Sequence, residues 1–468
     1  MRSDRRRLQL LALLIALVVA AYAPFLGGGL LTDDFLHLQR IESLPRAAAA
    51  FTAPDAFGFY RPITQASLAF DAAIHGSAAA GFRATNLMIH AAVIGLAFAV
   101  ARLVLRSSEA AALAALAFAL TPKAHPAAVS WISARGELLM SLWSLVAALG
   151  VLQWSRDGRR GWWWLAAIGY LLAITSKETA ILLPLLLLLP GLERPWRPRL
   201  ALLGVLAAVA AAVFVWRGQV GAMLPTTADG HYALATPVDT WLRNARNYGA
   251  RMLPGPLSLV VIGGLGSLLL HGPRRSPGAG VGLVRSSPVG SGFSRTCPVL
   301  AFSLAWTALF IAPVLPIVLR SELYLYLPVF GLCVAAAWLV GALHGDRAPL
   351  RMATVVLLTA ALGGYQGWRS FEHHRDLVFS RALVEALAAR SELDAATGDL
   401  TLTPADAATE RHLRDAIGDY LPVVLDRVHG LARWRGRVEY QGRPPAEGPT
   451  LRFVCRYRDG RVLLERVS

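Results

Sequence analysis

The sequence predicts an all-α polytopic membrane protein with a small α+β domain outside the bilayer. Three observations carry this reading. Of the 468 residues 55% are hydrophobic and only 16% charged, with a mean hydropathy of +0.48, too little charge for a soluble surface of this size. Apolar runs of spanning length recur from residue 8 to about 367. Beyond residue 367 the pattern changes to helix-period stretches followed by alternating ones. A soluble enzyme, a disulfide scaffold and a disordered chain are excluded.

About eleven spans are expected, at roughly 8–26, 82–105, 108–121, 138–154, 161–176, 179–191, 200–216, 257–271, 299–318, 323–343 and 351–367. The stretch 161–191 is short for two crossings at about 1.5 Å per residue. It reads as a tight hairpin with Lys177-Glu178 at an outer tip below the membrane surface. Residues 1–26 also resemble a cleavable signal, with Ala21-Tyr22-Ala23 as the small-residue site. Their long apolar run favours a retained first span. The chain thus divides into a transmembrane domain over 1–367 and a small extracytoplasmic domain over 368–468. Within the first, 27–81 forms an outer loop and the Gly/Ser/Pro/Arg-rich stretch 272–298 a flexible cytoplasmic loop. In the second, helices are expected at about 374–393 and 405–427, and strands at 434–440, 451–457 and 461–467. Asp459-Gly460 should turn the last hairpin.

The net charge of +16 is unevenly placed. The last 101 residues hold 16 Arg against 15 acids, so the surplus belongs to the membrane part and is no nucleic-acid footprint. It concentrates at Arg2–Arg7, Arg156–Arg160, Arg194–Arg199, Arg274–Arg295 and Arg347–Arg351. By the positive-inside bias these are cytoplasmic. The N-terminus is therefore expected inside and the C-terminal domain outside, in a bacterial inner membrane. Cys297, Cys333 and Cys455 show no metal or disulfide spacing.

Ionisable groups at membrane depth are costly, so each is a functional candidate. Asp33 and Asp34 follow the first span after Gly27-Gly28-Gly29. Arg61 closes the same loop. Asn86 and His90 share one face of the second span. Lys123 and His125 lie at the tip between the third and fourth spans, followed by Arg135 and Glu137. Lys177 and Glu178 cap the next tip, and Arg320, Glu322, Tyr324 and Tyr326 stand at the tenth span. On this topology all face the outer side. Forty-four of the 46 basic residues are Arg, and the only two Lys are Lys123 and Lys177; a compact ammonium there suits a phosphate. Plainer roles stand beside these: a helix cap for Asp33-Asp34, interhelical hydrogen bonding for Asn86, mutual pairing for Arg135 and Glu137, and an aromatic belt for the tyrosines.

The stretches TDDF (32–35), YRPITQASLAFD (60–71), GFRATNLMIH (81–90), VSWISARGELL (129–139), SKE (176–178) and YLYLP (324–328) stand in an order that resembles a known family. Together they look like the GT-C superfamily of multispanning glycosyltransferases. Within it they are most similar to transmembrane, tetratricopeptide-containing proteins related to protein O-mannosyltransferases. The likeness covers about residues 8–385 and implies a GT-C-like bundle. It implies transfer of a sugar from a polyprenyl-phosphate carrier, with an acid of the first outer loop as base, here Asp33 or Asp34. The chain departs from the pattern: Thr121-Pro122 and His125 replace a His/Glu set, Leu323 stands where an Arg is usual, and the repeats are missing.

The residues fit this chemistry on their own terms. Cleaving a sugar–phosphate bond releases an anion, which Arg61, Lys123, Lys177 and Arg320 can bind. An acceptor hydroxyl loses its proton to a loop carboxylate, and attack opposite the phosphate inverts the anomeric centre. His90, His125, Arg135, Glu137, Glu178, Glu322, Tyr324 and Tyr326 are supporting groups. The partners expected are a polyprenyl-phosphate-linked sugar, membrane lipid and an acceptor protein, lipid or glycan, with no nucleic acid. No cofactor is required, and a divalent metal stays open. Two rivals remain: a non-catalytic scaffold or degenerate transferase presenting the tail, and a lipid or solute transporter, although no inverted repeat is visible.

Overall fold

Apolar runs without charges must satisfy every backbone group internally, so they become helices. The computed structural model describes residues 2–42, 47–121, 124–223, 234–235, 237–252, 255–271, 293–344, 347–395, 398–430, 434–440 and 450–467. In chain order the first helices are α1 (Arg2–Tyr22), α2 (Asp34–Glu42), α3 (Pro62–His75), α4 (Ala79–Leu105), α5 (Ser108–Ala119), α6 (Ala124–Ser130), α7 (Arg135–Asp157) and α8 (Arg160–Ser176). A 3₁₀ segment, Glu178–Leu188, precedes α9 (Trp196–Gln219), α10 (Val238–Met252), α11 (Gly255–His271), α12 (Phe293–Ile311), α13 (Val329–His344) and α14 (Ala348–Ala388). Much of the loop expected at 272–298 lies outside the described residues.

Among the described residues, five stretches are long and apolar enough to cross a membrane: Arg5–Phe25, Ala79–Leu105, Ile132–Asp157, Trp196–Gln219 and Ala348–Ala388. Ser108–Ala119, Glu178–Leu188, Pro298–Val314 and Val329–His344 are shorter apolar helices. The tight hairpin expected over 161–191 is α8 followed by the 3₁₀ segment. Pro184 lies inside that segment, where it has no amide hydrogen for an α-helical bond. Within 27–81, expected as an outer loop, lie the helices α2 and α3.

One boundary differs from expectation. The last span and the tail's first helix are one helix of 41 residues, about 60 Å long at about 1.5 Å per residue. Its glycines do not break it, and no proline follows Pro349 within it. Its second half therefore leaves the roughly 30 Å hydrocarbon layer and enters the tail. There α15 (Glu392–Ala395), α16 (Ala407–Ala416) and α17 (Leu421–His429) accompany four strands. These are β1 (Gly398–Pro404), β2 (Trp434–Val438), β3 (Thr450–Arg458) and β4 (Arg461–Val467), in spatial order β2-β1-β3-β4. Strand β1, absent from the sequence reading, is the centre: it pairs parallel with both β2 and β3. Asp459 (φ 51°) and Gly460 (φ 77°) make the turn between β3 and β4, the positive pair such a hairpin requires. The helix stretch 405–427 is interrupted at Gly418, whose φ is 57°.

Two apolar cores result. One fills the bundle and draws on α1, α4, α5, α7, α8, α12 and α13. The other joins the tail to the first loop: Leu31, Phe35, Leu38 and Ile132 are buried together with Leu377, Leu413, Leu421 and Phe453. Hydrogen bonds to backbone carbonyls tighten this junction. Gly29 N–H donates to Leu377 C=O at 2.7 Å, Thr32 N–H to Ala416 C=O at 2.7 Å, and Ser380 Oγ to Leu30 C=O. Gly28 has φ +116°, and a Cβ there would lie 2.5 Å from Leu377 Cβ. A Cβ on Gly29 would lie 2.5 Å from the backbone nitrogen of Arg381. Gly29→Ala is therefore expected to cost about 1–3 kcal/mol, read as a lower unfolding midpoint. An unchanged midpoint would show that the junction yields freely.

Candidate active site

Asp34 is fully buried, at 0% exposure. It opens α2, and its two oxygens accept backbone N–H bonds from Ser133 at 2.8 Å and Leu31 at 3.1 Å. Its neighbour Asp33 is partly exposed and accepts from Ser133 Oγ at 2.8 Å and Thr32 Oγ at 3.3 Å. Thr32 takes a positive φ of 39°, which turns the chain sharply just before the two acids. Burial and the Asp33 charge push the Asp34 carboxyl up to about 7, against the pull of Arg83 and the two backbone donors. Burial also raises Asp33, opposed by His37 and by hydrogen bonds from Ser133, Trp131 and Thr32. Two adjacent carboxylates that share a poorly solvated site cannot both ionise readily.

Arg83 is the residue that the sequence reading missed. It lies in the first turns of α4 at 0% exposure. Its guanidinium donates to Ser130 C=O at 2.7 Å, Leu26 C=O at 3.2 Å, Gly28 C=O at 3.3 Å and Gly29 C=O. It thereby ties the glycine exit of α1 to the segment that feeds Ser133. The only sequence hint was a charge inside a span.

Arg135 begins α7 and is equally enclosed. It donates to Asp71 at 2.5 Å, Asn86 Oδ1 at 2.5 Å, Ser67 Oγ at 2.7 Å and Phe82 C=O at 3.0 Å. Asn86 in turn donates to Trp131 C=O at 3.0 Å, the bridging role read from the sequence. The pairing of Arg135 with Glu137 is not what forms. Glu137, two residues on, instead receives Lys177 Nζ, which also lies 4.8 Å from the Tyr324 ring centroid. Arg61 makes a two-pronged bond to Glu178, at 3.0 and 2.6 Å, and lies 3.9 Å over the Phe59 ring. Glu178 and Lys177 are adjacent in the chain, so the Arg61–Glu178 pair and the Lys177–Glu137 pair, with the Tyr324 ring, lie side by side.

His90, His125 and Tyr326 form a third, buried group. His90 Nδ1 lies 2.6 Å from Tyr326 Oη, and the His125 ring stacks on Tyr326 at 4.4 Å. Glu322 stands apart, paired with Arg369 of α14 at 3.1 Å. Arg369 thus brings a guanidinium next to the stretch where Leu323 replaces the usual Arg, from a helix the motifs do not reach. Arg320 is exposed. Lys123 lies outside the described residues. Among the described residues no group of three or more His, Cys, Asp or Glu is placed to hold a metal ion.

No family model and no curated protein matches the sequence. Solved structures match in fold. ArnT from Cupriavidus metallidurans bound to undecaprenyl phosphate is 14% identical with a TM-score of 0.51, covering 87% of this chain and 85% of that one. The Archaeoglobus fulgidus oligosaccharyltransferase in the apo form is 11% identical with a TM-score of 0.51, over 92% of this chain and 64% of that one. These neighbours are GT-C glycosyltransferases, and the fold of this chain is theirs. The link to protein O-mannosyltransferase relatives rests on the sequence motifs.

Proposed function

We propose that this protein is a membrane glycosyltransferase that moves a sugar from a polyprenyl-phosphate carrier to an acceptor hydroxyl. The observation that supports it is the Asp33–Asp34 pair, fixed by Ser133 at the head of α7 within a GT-C fold. Asp34 has both oxygens committed to backbone amides and serves to position the turn. Asp33, partly exposed and held by hydroxyls, is the base that takes the acceptor proton. Attack on the anomeric carbon from the side opposite the phosphate inverts the centre, and the carrier phosphate leaves as an anion. Arg61 and Lys177 are its nearest binding groups in this reading, sharing their carboxylate partners with it, with Arg320 and Lys123 completing the set. Glu137 and Glu178 hold those cations in place. The reaction belongs to the outer face of the inner membrane, where the tail also lies.

A base must be ionised to act, so transfer falls as pH drops through the raised value of Asp33. The acid limb of the rate profile should lie above the ordinary aspartate value of about 3.9. The repulsion between the two acids is borne by Asp34, which is not among the groups that raise Asp33, so Asp34→Asn should leave that limb nearly in place. The direct test supplies purified protein with a labelled polyprenyl-phosphate sugar and with the same sugar on a nucleotide. Label should reach an acceptor from the lipid donor only. Transfer from the nucleotide alone would overturn the proposal.

A further inference from the structure

At the end of the bundle opposite Asp33 and Asp34, two cavities meet. One, of about 410 Å³, is lined by Arg7, Arg102, Arg106, Ser108, Arg156 and Glu193. The other, of about 700 Å³, shares Arg106, Arg156 and Glu193 with it and continues between apolar side chains, including Leu152, Phe302 and Trp338. Four guanidinium groups against one carboxylate leave the first cavity strongly positive. Arg106 meets Glu193 at only 3.4 Å, with both side chains largely exposed, so that pair neutralises little. The Arg156 guanidinium is anchored on Leu103 C=O, which fixes its direction.

A positive-inside bias accounts for arginines at this end, but not for their convergence on one cavity that shares a wall with a second whose far side is lined by apolar chains such as Leu152, Phe302 and Trp338. We infer that the paired cavities bind an anionic phospholipid of the leaflet on that side. Its phosphate sits among Arg7, Arg102, Arg106 and Arg156, and an acyl chain enters the apolar cavity. The planar guanidinium fork matches phosphate oxygens, and basic pockets between spanning helices at such a surface suit anionic headgroups. A soluble phosphate would fill the first cavity and make no use of the second; the shared wall favours a lipid. The site is remote from the proposed chemistry and stands or falls without it.

The test reconstitutes the whole protein with equal phosphatidylglycerol and phosphatidylcholine, exchanges it into detergent and counts retained lipids by mass spectrometry. Phosphatidylglycerol should be retained in preference. Arg102→Gln with Arg106→Gln should lower its retention about thirtyfold, since each arginine near a membrane surface contributes about a factor of five. Both side chains are at the surface end of α4, and an unchanged gel-filtration profile confirms that the variant folds. Leu152→Trp, which fills the apolar cavity without changing charge, should lower retention too. Equal retention of the two lipids, or none lost in the arginine variant, would overturn the assignment. So would displacement of the lipid by millimolar inorganic phosphate, which would mark a soluble-anion site.

Discussion

Asp33→Asn is expected to lower sugar transfer by about 10²–10⁴-fold, the usual contribution of a positioned base, while the protein folds and inserts normally. The asparagine keeps an oxygen for Ser133 Oγ and Thr32 Oγ, which bond Asp33 at 2.8 and 3.3 Å, so the turn survives. Only the proton acceptor is lost. The measurement is the turnover of a lipid-linked donor by wild type and variant at equal reconstituted amounts. The effect should fall on kcat and leave KM nearly unchanged, because the carrier is held elsewhere. A matching loss in KM would instead place Asp33 in binding.

Asp71→Ala is expected to destabilise the fold by about 3–5 kcal/mol, because it strands a buried charge. Arg135 is 0% exposed and its carboxylate partner 2%, so no water replaces the lost oxygen. The readout is the unfolding midpoint in detergent. Restoring neutrality with Arg135→Met in the same protein should recover much of the loss, since an apolar pair of similar volume can match a buried ion pair. No recovery would mean that the other bonds of Arg135, to Asn86, Ser67 and Phe82, carry the structure.

The sequence reveals more of this site than of its wiring. Asp33, Asp34, Arg135, Glu137, Lys177 and Glu178 are visible because charge at membrane depth is costly, and the structure gathers them at one end of the bundle. Their partners are not visible, because pairing depends on how helices far apart in sequence pack. Arg61 and Glu178 are 117 positions apart, and Lys177 and Glu137 are 40 apart. Arg83 escapes notice for a different reason: it bonds backbone carbonyls, which leave no side-chain signature. In the tail, the pattern gives β2, β3, β4 and the Asp459-Gly460 turn, but β1 spans only Gly398–Pro404. Its alternation of Thr with Leu400 and Leu402 is too brief to separate from a loop. The continuous α14 is missed because composition changes along it while the helix does not.

The central claim is that the chain spends a polyprenyl-phosphate sugar through Asp33. The most direct test is the appearance of free polyprenyl phosphate, measured by mass spectrometry in membranes that contain the labelled donor and a panel of acceptors. Wild type should release the carrier phosphate as sugar is transferred, and Asp33→Asn should leave the donor intact over the same time. An intact donor with wild type across the panel would contradict the account, as would equal release by the variant.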